Sequence, residues 1–147
     1  MFKQILVATD GSKLSQKAIR TAVKLARATG AAVTGAYVIE PYTPPHGEAA
    51  IYVAGISAAR YKAVTKREAR KALAAVEIEA GTAGVPCRTI ALTANTPWEG
   101  VIRGAKRGRC DLIVMSSHGR RGLTGLILGS ETNKVLTHTR IPVLVCR

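Results

Sequence analysis

Acidic residues are scarce in this 147-residue chain: nine Asp and Glu stand against 22 Lys and Arg, and only Asp10 and Asp111 are aspartates. Chemistry that needs several clustered carboxylates, such as two-metal hydrolysis, has little to draw on. Aromatics make up only 4% of the chain, which leaves few stacking platforms for single-stranded nucleic acid. The three cysteines, Cys87, Cys110 and Cys146, are far apart and odd in number, with no CxxC or Cys/His cluster. That spacing argues against a disulfide framework, a structural zinc site or a thioredoxin-type motif. No apolar run approaches the roughly 18 residues that span a bilayer, and Ile5 to Ala8 is too short for a signal peptide, so a soluble, cytoplasmic protein is expected.

What is present is a core-forming composition, 47% hydrophobic, with a formal net charge of +13. The length fits one domain over residues 1–147, and the charge directs attention to an anionic partner. Apolar runs and helical stripes alternate five times. Strands are predicted at Gln4–Ala8, 32–39, Cys87–Leu92, 111–115 and 142–146, and helices at about 14–29, 57–80, 97–107 and 130–138. Ser12 stands at the N-cap of the first helix and Gly30 at its stop. Thr96-Pro97 with Glu99 makes a capping signature for the third helix, and Gly81 and Gly84 close the second. The prolines and glycines of 41–56 read as a long loop. The alternation predicts an α/β fold, an open parallel sheet covered by helices on both faces.

Ligands of such sheets lie at the carboxyl ends of the strands. Two segments of suitable composition fall there: Ala8-Thr9-Asp10-Gly11-Ser12, and the glycine-rich run from Ser116 to Ser130. Glycines in the second permit positive φ and close backbone approach, and the helix that starts at Ser130 offers unpaired N–H groups at its positive dipole end. With Arg120 and Arg121 in the loop, this is a candidate phosphate cradle. No Gly-Lys-Ser or Gly-Lys-Thr occurs, and no G-x-G-x-x-G follows the first strand, so a P-loop NTPase and a Rossmann dehydrogenase are excluded. His118 and Ser116 or Ser117 lack the elbow of a Ser/His hydrolase, and His46 and His138 have no second ligand at metal spacing.

The run Ser116-x2-Gly119-x9-Gly129-Ser130 resembles the G-x2-G-x9-G-[ST] motif of the nucleotide-binding universal stress proteins, with serine replacing the first glycine. Ile5-Leu-Val-Ala-Thr-Asp-Gly-Ser12 and Pro142-Val-Leu-Val145 resemble further signatures of that family, and the likeness extends over the whole chain. The resemblance implies a Rossmann-like, adenine nucleotide alpha hydrolase-like domain with strand order 3-2-1-4-5, paired as a homodimer through the last strand. It implies ATP, or ADP or AMP, as a regulatory ligand. The base would lie by Ala8, Thr9, Asp10, Val38 and Met115. The phosphates would lie by Ser116, His118, Gly119, Arg120, Gly129, Ser130, Glu131 and Thr132. Asp10 could carry Mg²⁺ or Mn²⁺ through water. No catalytic residue is expected, and slow ATP hydrolysis is the most that is. Other readings are a stress protein that acts through protein partners without a nucleotide, and a basic nucleic-acid-associated protein. The latter rests on Arg60, Lys62, Lys66, Arg67, Arg70 and Lys71 alone, with no recognition motif beside them.

Overall fold

A computed structural model of the chain describes residues 1–44, 46, 57–119 and 128–147. Five strands, β1 (Gln4–Ala8), β2 (Ala32–Ile39), β3 (Cys87–Thr93), β4 (Leu112–Ser116) and β5 (Val143–Cys146), form one sheet in the order β3-β2-β1-β4-β5. Every neighbouring pair is parallel. Four helices connect them: α1 (Lys13–Thr29), α2 (Ala58–Thr82), α3 (Pro97–Arg107) and α4 (Ser130–His138). No described helix is long and apolar enough to cross a membrane.

The side-chain alternation of a strand explains the layers. Ile5 and Val7 point to one face, where α1 supplies Ala18, Ile19, Ala22, Val23 and Ala26 and α2 supplies Val76 and Ala80. Leu6 points to the other, against Val101, Ile102 and Ala105 of α3 and Val135 of α4. Both faces of the central strands are dry, hence their uninterrupted apolar runs.

Local chemistry sets the helix ends. Ser12 Oγ accepts from Ser15 N at 3.1 Å to cap α1, and Gly30, at φ 69°, ends it. Gly81 lies inside α2, which runs to Thr82, and the left-handed turn that closes it falls at Gly84. Thr96 precedes α3 without capping it: its hydroxyl donates to the Glu99 carboxylate at 2.9 Å. Strand β4 starts after Asp111, whose carboxylate accepts from Lys3 N at 2.8 Å and Gln4 N at 3.0 Å and so ties the chain start to the sheet. Burial works against that charge, but these N–H bonds and the N-terminal ammonium outweigh it and hold the Asp111 carboxyl below its ordinary value.

The cysteines lie in or beside strands as free thiols. Burial is the main cause that raises the pKa of both Cys87 and Cys110, which keeps them protonated and poorly nucleophilic. Trp98 packs with the α3 core and against the His138 ring, centroids 4.6 Å apart.

Candidate functional site

Successive connections leave β1 and β4 toward opposite faces, α1 on one and α4 on the other, although the two strands are neighbours. A crevice opens between such strand ends. It holds a cavity of about 500 Å³ at the carboxyl edge of the sheet, within the size range of small-molecule sites.

The β1 end contributes Ala8, Thr9 and Asp10 to its wall. Thr9 is buried and its hydroxyl is part of the turn, 3.1 Å from Ser15 Oγ and accepting from Gly11 N at 3.2 Å. Asp10 Oδ1 accepts from Ser12 N at 3.0 Å, which fixes the carboxylate at the crevice. Ser15 completes this corner through its hydroxyl, which donates to Ser12 O at 2.9 Å. The sequence reading did not single it out, since a serine in the first turn of a helix looks like any surface residue.

From β4 come Met115 and Ser116, followed by His118 and Gly119. Ser116 is the residue that departs from the motif, and nothing about its backbone asks for glycine. It is a strand residue paired with Cys146, and Arg109 is the one described non-glycine residue at positive φ. Its hydroxyl donates to His118 O at 2.8 Å and braces the turn. His118 Nδ1 sits 3.1 Å from Ser117 Oγ.

Of the two properties expected of these glycines, close approach holds at both described motif positions and positive φ at neither. A Cβ on Gly129 would lie 2.7 Å from Ser117 O, and one on Gly119 2.9 Å from Asp10 Oδ2. Gly129 N donates to Ser117 O at 2.9 Å, so the chain returns from the loop directly onto the strand end.

Gly129 then begins α4, and no side chain caps that helix. Its first N–H groups, on Ser130, Glu131 and Thr132, lack intrahelical acceptors and face the site with the dipole's positive end. Thr132 is buried, and its hydroxyl is given to Ser116 O and Ser117 O at 3.0 and 3.2 Å. The Glu131 carboxylate turns away to accept from Trp98 N at 3.0 Å and Lys134 Nζ at 3.4 Å. The backbone of Glu131 and Thr132 therefore remains for an anion, while their side chains hold the helix in place.

All twelve described candidates line this one cavity: Ala8, Thr9, Asp10, Val38, Met115, Ser116, His118, Gly119, Gly129, Ser130, Glu131 and Thr132. Arg120 and its neighbour Arg121 lie outside the described residues, as do 45, 47–56 and the rest of 120–127. Six lining residues were not anticipated: Ala36, Tyr37, Glu40, Thr96, Pro97 and Val101. They come from the second half of β2 and the residue after it, and from the start and first turns of α3. The rule that all strand carboxyl ends surround the site could have found Glu40 and Thr96. Among the described residues no three His, Cys, Asp or Glu cluster as a metal site.

The universal stress protein family model matches residues 1–147. A universal stress protein of Thermus aquaticus is 33% identical, with all of both chains covered. The chain belongs to the universal stress protein family. Among solved structures, the universal stress protein UspA of Lactobacillus plantarum superposes with a TM-score of 0.74 at 27% identity, covering 99% of this chain and 97% of that one. A universal stress protein of Archaeoglobus fulgidus, solved in complex with dAMP, shares the fold at TM-score 0.64 and 20% identity, with 99% and 98% covered. A further universal stress protein structure, in complex with cAMP, does so at 0.68 and 21%, with 98% and 95% covered.

Proposed function

We propose that this universal stress protein binds an adenine nucleotide, ATP or its ADP or AMP relatives, as a regulatory ligand in the cavity between the β1 and β4 ends. The observation that carries the reading is the pair of close contacts at Gly119 and Gly129 beside the uncapped start of α4. Backbone packed this tightly brings N–H donors to a phosphate where a side chain would block it. Apolar Ala8, Val38, Val101 and Met115 suit the faces of a base, and Asp10 its polar edge or the ribose. The cAMP and dAMP complexes of two proteins with this fold make adenine nucleotides the first ligands to test. Asp10 is the residue that would share a Mg²⁺ or Mn²⁺ with bound phosphates. A single carboxylate suits a cation that keeps much of its water.

The protein is also proposed to pair with a second copy through β5, an edge strand on which Leu144 is 37% exposed. The cytoplasm remains the proposed compartment.

Denaturing the purified protein and chromatographing the supernatant, with calorimetric titration of the emptied protein by ATP, ADP and AMP, tests the ligand. Binding is expected, and Gly129→Val should reduce it at least about tenfold, since its side chain would collide with the Ser117 carbonyl. A far-UV spectrum like that of the parent would show that this variant folds. No released nucleotide together with no heat of binding would overturn the proposal.

A further inference from the structure

A second cavity, of about 310 Å³, lies at the opposite end of α3 from the first. The 11 residues of α3 rise about 16 Å, with Thr96 and Pro97 at the first cavity and Arg107 and Gly108 at the second. Edge strand β3 provides the other wall through Arg88, Ile90, Ala91 and Leu92.

The two guanidiniums differ in what already holds them. Arg88 Nε donates to Thr34 Oγ1 at 3.0 Å, and Arg88 Nη2 to Gly108 O at 2.7 Å. Thr34 is fully buried and also accepts from Gln4 Nε2 at 2.8 Å, so the anchor is rigid. Two of the five N–H groups of Arg88 are thus fixed, which leaves three in a set orientation. Arg107 makes no hydrogen bond or ion pair with the described residues. One turn earlier on the same helix, Arg103 shows the contrast, since its guanidinium is taken by the Thr93 carbonyl. No carboxylate is among the described residues that line this cavity.

We propose that this groove is a second ligand site, for a small phosphate ester or carboxylate on an apolar body. A fixed fork and a second unpaired guanidinium suit a planar or tetrahedral oxyanion. Ile90 and Leu92 receive the apolar part, and the volume, at the lower end of ligand sites, limits the guest to a small one. The site is independent of the nucleotide reading, because it shares no lining residue with the first cavity.

Phenyl phosphate and benzoate, titrated separately into ¹⁵N-labelled protein, separate the two sources of the anion. Saturable amide shifts at Arg88, Ile90 and Gly108 are expected for at least one probe, and the tighter probe assigns the class. Arg107→Gln should weaken binding at least about fivefold. Lys106→Gln, which removes the same charge one residue away, should change it less than about twofold, separating a direct contact from the general field. The shifts should persist in Gly129→Val. Lack of saturation below about 20 mM with both probes, equal losses in the Arg107 and Lys106 variants, or shifts confined to the start of α4 would each overturn the proposal. Arg88→Gln is the weaker variant, because it also releases the Gly108 carbonyl at the end of α3.

Discussion

Single side chains in this protein often work as braces for backbone that does the contacting. Ser116, Thr132 and Glu131 all line the first cavity, yet each gives its polar atoms to the framework: His118 O, the Ser116 and Ser117 carbonyls, and Trp98 N. A serine at the first motif position is accordingly compatible with the turn, because its hydroxyl closes a hydrogen bond that glycine cannot make. Asp111 is a brace of the same type at the other end of the sheet, and its charge makes the effect titratable. Its folded-state pKa is depressed, so its stabilisation is complete above the ordinary value of 3.8 and is lost as pH falls through the lower folded value. Asp111→Asn should therefore lower stability at pH 7, by less than about 1 kcal/mol for a group still partly open to solvent. The difference from the parent should begin to shrink below about pH 4 and then close, as urea melts at several pH values would reveal. A constant difference down to pH 2 would assign the effect to packing instead.

At the level of elements, α3 lies unusually close to the sheet. A Cβ at Gly100 would sit 2.5 Å from Val38 Cγ2, and one at Gly104 2.8 Å from Leu92 Cδ1. Valine cannot swing aside as a long side chain would. Gly100→Ala should cost about 1–3 kcal/mol, and Val38→Ala in the same chain should recover part of it, so that a double-mutant cycle yields coupling of about 1 kcal/mol or more. Additive effects would mean that the contact does not set the helix position. This closeness could not be read from the sequence, because it depends on which strand residues α3 packs against. The elements themselves were legible: β1, β2 and α3 fall within the expected bounds, because periodicity and terminal signals depend on near neighbours. What failed lay in side-chain hydrogen bonds. Asp111 left its strand to hold the distant chain start, and Thr96 gave its hydroxyl to the Glu99 carboxylate instead of capping the helix backbone. The candidate site was readable where a motif lay on a strand end, whereas Ala36 inside β2 and Val101 inside α3 came to it only through the folding of separate segments.

Over the whole molecule the +13 charge divides unevenly. The six basic residues of the first half of α2 are all exposed on the outer surface, away from both cavities. If they bound nucleic acid, affinity would fall about 10³-fold between 50 and 200 mM salt. Nucleotide binding by backbone N–H groups should change less than about fivefold over that range, a difference that calorimetry at the two salt concentrations measures. Pairing through β5 is likewise a property of the intact molecule, and Leu144→Arg should convert a dimer to a monomer by light scattering without loss of nucleotide. A parent protein that is itself monomeric would remove β5 from consideration. The Gly100–Val38 contact has a historical consequence as well. Val38 forms part of the cavity wall while it also sets how near α3 can lie. A lineage that enlarged or shrank this wall to suit a new ligand would have had to accept a change at position 100 in step, so the two sites should drift together among descendants of this sequence.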